Sequence, residues 1–443
     1  MSNNVKKLVW NILLWANWAI IVLFWWNGAS ALFSAGFSSI VIAFGRLAGL
    51  VAAYMILLQF FFMGRTPWLE RVFGLDRLSR IHQTNGRWGF LFLMLHPILL
   101  VWGNSIQSGV GPITQLMSFF TDYEHVALAM FGLLLFIIVV ASSIYIVRRK
   151  LRYETWYFVH LLTYLAVFFS YRHQVEIGGT LLSSRLFYGY WILLYTLVFA
   201  NHLLFRFVRP LYSSLSHQFR VSRIVRENYN TVSVYITGKR LHAFSIHPGQ
   251  FMIVRFLTKG VWWQAHPFSL SFLPHGNELR ITVKEVGDFT KQLAHIPIGT
   301  RLLIDGPYGV FTDFFCVSDK VLLIAGGIGI TPIRSLVEQM AQKKKDVVLL
   351  YANKTQDDIV FKDELDAIAK RSNIRITHVL SDDPAFTGEK GRVDDEKIQR
   401  LVSDVSSRDV YLCGPVPMMD ALVQSLQKLK VPLSRIHYEK FSF

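Results

Sequence analysis

Long apolar runs fill the first half of the chain, and short alternating runs fill the second. Up to about Tyr212 the uncharged stretches approach the ~20 residues that a helix needs to cross ~30 Å of hydrocarbon. They predict six spans: Leu8–Trp26, Ile40–Met63, Ile81–Asn104, Val126–Val147, Trp156–Arg172 and Phe187–Val208. The first follows Lys6 and Lys7 and precedes Ala29-Ser30-Ala31, a run of the kind that ends a cleaved signal peptide. Its apolar stretch is long for a signal core, so a retained helix is expected.

Beyond Phe219 the period changes. Phe219–Arg226, Thr231–Thr237, Gln250–Phe256, Glu278–Val286 and Arg301–Asp305 read as short strands between turns, with clear alternation in Val232-Ser233-Val234-Tyr235-Ile236. This pattern predicts a small antiparallel barrel. From Asp319 onward strands alternate with helices. Strands are expected at Lys320–Ala325, Val347–Tyr351, Ile374–Leu380 and Asp409–Cys413. Helices are expected at Thr331–Gln342, Phe361–Lys370, Glu396–Val402 and Pro417–Lys428. That order predicts a doubly wound parallel sheet, with Thr331 capping the first helix and Pro332 at its first position. The fold class is therefore multi-domain. Residues 1–212 form a six-helix transmembrane bundle, 213–316 a β-barrel, and 317–443 a Rossmann-like α/β domain.

Charge sharpens the topology. The net charge of +16 would suit a nucleic-acid binder, but its distribution does not. Residues 1–212 hold 16 Lys and Arg against 6 Asp and Glu. Thirteen of those cations fall in segments that the six spans place in the cytoplasm: Lys6, Lys7, Arg65, Arg71, Arg77, Arg80, Arg87, Arg148, Arg149, Lys150, Arg152, Arg206 and Arg209. This is the positive-inside bias, and it predicts an integral plasma- or inner-membrane protein with both termini cytoplasmic. The two cysteines, Cys316 and Cys413, imply no disulfide framework.

Ionisable groups inside apolar spans are costly and call for a function. His82 and His96 stand fourteen apart in span three, and His160 and His173 thirteen apart in span five. Either separation covers roughly 20 Å of helix. Both spans run outward, so first pairs with first: His82 with His160 near the cytoplasm, and His96 with His173 near the outer face. Each pair supplies two axial ligands, which predicts two haems b stacked across the membrane. Fourteen residues return a helix to within ~40° of the same face, whereas thirteen miss by ~140°. Span five must therefore tighten, tilt or carry His173 on a frayed end. His202 and His125 read as a helix–helix hydrogen-bond partner and an interfacial residue.

In the second half, Gly326-Gly327-Ile328-Gly329-Ile330-Thr331-Pro332 joins the first parallel strand to the first helix. Glycines there let a pyrophosphate approach backbone N–H groups at a helix start, so dinucleotide binding is expected. Lys354 follows the second strand, where a cation can meet a 2′-phosphate, and this favours NADPH over NADH.

Taken together, the parts resemble the flavocytochromes b of the NADPH oxidase and ferric reductase superfamily over nearly the whole chain. The fourteen and thirteen spacings are typical of that family's oxidases. His266-Pro267-Phe268-Ser269-Leu270-Ser271 resembles its flavin motif. The resemblance implies Phe268 beside the isoalloxazine, Ser269 near its reactive N5, and His266, Pro267 and Ser271 close by. Gly287-Asp288-Phe289-Thr290 resembles the segment that holds the FAD pyrophosphate, with Lys284 as a nearby cation. Asp305-Gly306-Pro307-Tyr308-Gly309, the 326–332 loop and Cys413-Gly414-Pro415 resemble the nucleotide-side motifs. The resemblance also implies that the terminal Phe443 covers the flavin face that nicotinamide must occupy, and that Arg46 lies near the outer haem. Ser269, Cys413, Phe443 and Arg46 are the catalytic candidates. One departure stands out: animal oxidases carry a histidine four residues after the outer ligand of span three, and here that position is Leu100.

The implied activity is electron transfer from cytosolic NAD(P)H through FAD and the two haems to O2, giving superoxide. Three other readings compete with it. The acceptor could be a ferric chelate. The chain could supply electrons to a partner protein or a quinone. It could also be a six-helix channel with a regulatory nucleotide domain.

Overall fold

The computed structural model describes residues 3–273 and 277–439, so Phe443 lies outside the described residues. The chain divides into two compact units, residues 1–66 with 77–204 and residues 67–76 with 205–443.

The first unit is helical. Its long helices are α1 (Asn3–Ala29), α2 (Phe37–Met63), α3 (Leu75–Ser108), α4 (Val126–Ser143), α5 (Tyr153–Ile177) and α6 (Arg185–Leu203). Among the described residues, five stretches are long and apolar enough to cross a membrane: Val5–Ser34, Phe37–Met63, Leu75–Ser108, Val126–Ser143 and Arg185–His217. The 25-residue α5 is not among them. Its histidines, with Thr163, Ser170, Arg172 and Gln174, dilute its apolar content.

Close helix contacts rest on small residues. A side chain at Gly45 would strike Leu100, and one at Gly49 would strike the His96 ring at 2.6 Å. These two glycines seat α2 directly against the face of α3 that carries His96. Gly132 of α4 does the same for α5, where a Cβ would fall 2.5 Å from Ser170 Oγ. Pro97 lies inside α3 and has no N–H to give the Leu93 carbonyl, so the backbone ladder is interrupted immediately after His96.

Span four ends earlier than its apolar pattern predicts, at Ser143 instead of Val147. Ser142 and Ser143 both donate to the Val139 carbonyl at 2.8 Å, competing with the helix ladder. Ile144 then turns to an extended conformation.

In the second unit, two three-stranded antiparallel sheets share one core. Their strands are β1 (Arg220–Asn228), β2 (Thr231–Thr237), β3 (Phe251–Phe256), β4 (His266–Ser269), β5 (Glu278–Lys284) and β6 (Leu302–Tyr308). The sheet orders are β1-β2-β5 and β4-β3-β6, linked by bridges at Arg220 with Arg301 and Leu270 with Ile281. Val232, Val234 and Ile236 pack inward with Met252, Val254 and Ile281. The strand β4 escapes the sequence pattern because Pro267 interrupts its alternation.

The remaining strands are β7 (Lys320–Gly326), β8 (Asp346–Asn353), β9 (Ile374–Leu380), β10 (Glu389–Lys390), β11 (Asp409–Cys413) and β12 (Ile436–Tyr438). They form one parallel sheet in the order β10-β9-β8-β7-β11-β12. Alternate residues of β7 feed opposite faces: Val321, Leu323 and Ala325 into one core, and Leu322 and Ile324 into the other. Such two-sided burial is what a sheet covered by helices on both faces requires. The helix after β7, α7 (Ile330–Gln342), begins one residue earlier than expected. Thr331 is therefore not its N-cap. Its hydroxyl donates to the Ile328 carbonyl at 3.1 Å, because a 3-10 turn at Gly327–Gly329 leads straight into the helix.

Arg280 joins the sheets to the α/β part. It is 2% exposed and donates to both Glu364 oxygens, at 2.6 and 3.0 Å. Arg334 meets the same carboxylate at 2.9 Å and Glu338 at 2.6 Å. Pairing of this kind is what makes such buried charge tolerable.

Candidate electron-transfer site

The four intramembrane histidines come together as two pairs. The rings of His82 and His160 stand 6.0 Å apart, centre to centre, at 59°. Those of His96 and His173 stand 6.2 Å apart at 61°. Two imidazole nitrogens held by one metal at about 2 Å each put their ring centres about 6 Å apart, and both pairs have that separation. The residues thus fit axial ligation of a haem iron. Among the described residues no group of three or more His, Cys, Asp or Glu side chains is placed to hold a metal ion.

First meeting first makes α3 and α5 run parallel. His173 lies well inside α5, which is continuous to Ile177, so fraying does not explain the thirteen-residue spacing. Thr163 donates to the His160 carbonyl at 2.9 Å and Ser170 to the Ala166 carbonyl at 2.8 Å. Hydroxyls bonded back in this way bend helices, and both lie between the two ligands.

The two pairs are oriented differently. His96 Nδ1 lies 2.8 Å from the Gly45 carbonyl, which leaves Nε2 for a metal. Ser143 Oγ lies 3.4 Å from His160 Nδ1 and accepts from Trp156 Nε1 at 3.1 Å. The Trp156 ring lies 5.2 Å from the His160 ring, and Arg148 lies over Trp156 at 4.6 Å. His173 Nδ1 is buried without a hydrogen-bond partner among the described residues. These supporting residues went unnoticed in the sequence; only the serine pair before a basic run hinted at them.

Arg46 follows Gly45, and its guanidinium lies 3.3 Å from the position a Cβ on Gly179 would take. Leu100 packs on Gly45. His202 takes the helix-linking place expected of it, with Nδ1 2.9 Å from the Phe60 carbonyl and Nε2 2.8 Å from Tyr164 Oη. His125 Nε2 lies 2.7 Å from Glu176.

In the second unit, β4 presents the His266–Ser269 segment. The His266 ring stacks on Phe289 at 3.9 Å, and Phe268 lies 6.4 Å from Phe289 and nearly parallel to it. The two flavin-type motifs therefore meet in one aromatic group. Pro267 pairs with Ile253, and Ser269 is held opposite Phe251 on β3. Ser271 is fully buried, with its hydroxyl engaged by Thr282, the Arg280 carbonyl and Arg280 Nε. It is a core residue, not one free to contact a cofactor.

Gly287 precedes a short helix, Asp288–Gln292. Thr290 Oγ accepts from the Val286 and Gly287 N–H groups at 3.0 Å each, which folds the loop on itself. Lys284 faces Asp358 at 3.6 Å. At the carboxyl ends of β7 and β11 two glycine segments touch. A Cβ on Gly329 would fall 2.3 Å from the Cys413 carbonyl oxygen, and one on Gly414 would fall 3.1 Å from Gly326 Cα. Pro415 lies against Gly326 at 3.0 Å by the same measure. The strand order departs in both directions from β7 and β11, and this switch point is where such sheets bind ligands. Lys354 is exposed at the end of β8. Burial pushes the Cys413 thiol well up, helped by the nearby Glu439 carboxyl, so Cys413 is a neutral wall and not a thiolate.

Helices carrying paired histidines, antiparallel sheets with an aromatic motif and a parallel sheet with a glycine crevice define a class, the membrane flavoprotein electron carriers. Comparison with known proteins agrees, domain by domain. Residues 48–171 match the family "Ferric reductase like transmembrane component", 217–312 a "FAD-binding domain", and 323–424 an "Oxidoreductase NAD-binding domain". In that order they are the architecture of the ferric-reductase and NADPH-oxidase flavocytochromes, and the chain carries it. The domains are those of an NAD(P)H-dependent transmembrane oxidoreductase.

Among curated proteins, the ferredoxin reductase component of 3-ketosteroid-9-alpha-monooxygenase from Rhodococcus rhodochrous is 29% identical over 50% of this chain and 64% of its own length. The Mycobacterium tuberculosis protein of that name is 32% identical over 44% of this chain and 54% of its own. NADH-cytochrome b5 reductase 1 from Laccaria bicolor is 33% identical over 35% and 53%. The chain thus spans between half and two thirds of the length of these relatives. Among solved structures, the flavohem-like FAD/NAD binding domain of nitric oxide dioxygenase from Vibrio cholerae covers 51% of this chain and 98% of its own, at 24% identity and TM-score 0.45. Flavohemoglobin from Malassezia yamatoensis covers 94% and 99%, at 17% and 0.48.

Proposed function

We propose that this protein moves electrons from NAD(P)H through FAD and two haems b to O2, forming superoxide. The observation that carries the reading is the pair of ring separations, 6.0 and 6.2 Å, on the same two helices. We read α5 as a membrane span as well, the fifth in chain order, its polar residues turned to ligation. His82 and His160 would hold one haem, and His96 and His173 the other.

When bound, FAD would supply the conversion of a hydride's two electrons into single ones, and haem iron would supply one-electron carriage. The chain's own residues supply position. Gly327, where a Cβ would meet nothing within 4 Å, leaves its backbone open to a nucleotide's phosphates, with Lys354 at the adenosine end. Phe268, Ser269, His266 and Phe289 line the flavin edge, and Gly287–Thr290 forms the loop near its pyrophosphate. Cys413 is a buried core residue behind the Gly414 segment. Phe443, outside the described residues, is assigned to the flavin face by resemblance alone.

His96 and His173 would hold the second haem, which when bound would supply one-electron reduction of an acceptor beside that pair. Arg46 and Leu100 set what approaches there. Leu100 favours a second reading, a ferric reductase, because an apolar side chain stands where the resembling oxidases carry a histidine. The purified protein, supplied with NADPH or NADH in air, is expected to reduce cytochrome c in a superoxide dismutase-sensitive way. Activity seen only with a ferric chelate under anaerobic conditions would establish the second reading and sink the first.

A further inference from the structure

The segment Pro67–Asp76 separates the second and third spans in sequence, yet it packs with residues 205–443 as part of one compact unit. Its short helix, Pro67–Phe73, presents Glu70, which is 3% exposed. Glu70 Oε1 accepts a hydrogen bond from the Gly309 N–H at 2.7 Å. Two further residues fix the segment. Gly74, at φ +76°, stands against Val310, so a Cβ there would lie 3.2 Å from its Cγ2. Leu75 is buried with Phe251 and Tyr308. Tyr308 in turn donates to Asp305.

Gly309 is crowded from a second direction. Its φ of +101° suits glycine, and a Cβ would fall 3.1 Å from Glu439 Oε1. Glu439 is 8% exposed, and its Oε2 is buried with no hydrogen-bond partner among the described residues. Two buried carboxyls therefore converge on the one glycine that ends the Asp305–Gly309 segment. Neither lies in the regions matched to the FAD- and NAD-binding families, which cover 217–312 and 323–424.

We propose that Glu70 is a positioning residue for the nucleotide-side loop: it supplies the acceptor that fixes Gly309, and it does so from the segment linking spans two and three. The inference rests on the reading of Asp305–Gly309 as nucleotide-side. An N–H left unpaired in a buried site is costly, so without Glu70 the loop loses its set position. The groups facing Glu70 are Arg71 on its own helix, Asp76, Arg209 and, through Gly309, Glu439. Burial pushes the Glu70 carboxyl up to about 7, against the pull of Gly309 N–H, Arg71 and Arg209. Glu439 is raised further, by burial first and then by Asp76 and Glu70. A carboxyl raised in the folded state stabilises that state at low pH, and the contribution fades as pH rises through the folded value.

The test uses the full-length protein, with NADP+ affinity measured by fluorescence quenching beside steady-state kinetics. Glu70→Ala is expected to raise both the Kd for NADP+ and the KM for NADPH about tenfold, with kcat and bound FAD nearly unchanged. Glu70→Gln keeps an amide oxygen for Gly309 and should restore both. Unchanged Kd and KM in Glu70→Ala, or a folded Glu70→Gln that fails to rescue, would overturn the assignment. A wild-type protein that binds no nucleotide would overturn the functional reading and this inference with it.

Discussion

The two histidine pairs have nearly the same spacing and different supports. The His96 ring is held by backbone, with the Gly45 carbonyl on Nδ1 and Gly49 beneath it. The His160 ring is held by side chains, with Ser143 at one nitrogen and Trp156 alongside. A carbonyl on a helix cannot rotate away, whereas a hydroxyl can, and its 3.4 Å approach is long for a hydrogen bond. The first arrangement fixes a ligand through helix packing. The second leaves it open to tuning. Reading the pairs together shows that ligand spacing and ligand support are separate properties of this bundle.

That contrast can be broken by mutation. The largest effect is expected from His173→Ala or His160→Ala: each should lose its own haem and about half of the b-type absorbance, with the other pair intact. Next comes Gly49→Leu. Its side chain would enter the space of the His96 ring, where a Cβ alone already stands 2.6 Å from Nδ1. It should abolish the second centre and spare the first, which haem content per chain would report. Equal loss at both centres would refute separate support. The smallest effect belongs to Ser143→Ala. Removing one weak hydrogen bond should shift the first centre's potential by on the order of 20–60 mV, about 0.5–1.5 kcal/mol for one electron, with haem content unchanged. Redox titration reads this directly.

Much of this was legible in the sequence, for identifiable reasons. Helix regularity made the four histidines readable, since spacings of fourteen and thirteen along parallel helices give nearly matched depths. Strand and helix alternation gave the parallel sheet nearly to the residue, as at Ile374–Leu380 and Asp409–Cys413. What escaped is tertiary. Ser143 ended a span that hydropathy extended to Val147. Pro267 hid β4. Thr331 looked like a cap until a 3-10 turn took that place. Ser271 shared a motif with Ser269, yet Arg280 and Thr282 claim its hydroxyl. Glu70 was one acid among basic loop residues, and only the fold brings it to Gly309.

The proposed electron path stands or falls on each histidine pair holding one haem. Pyridine haemochrome analysis of the purified chain, with a reduced-minus-oxidised spectrum, is the decisive measurement. Two haems b per chain are expected, falling to one in His96→Ala. A chain with no b-type band, or full haem content in His96→Ala, would contradict the assignment.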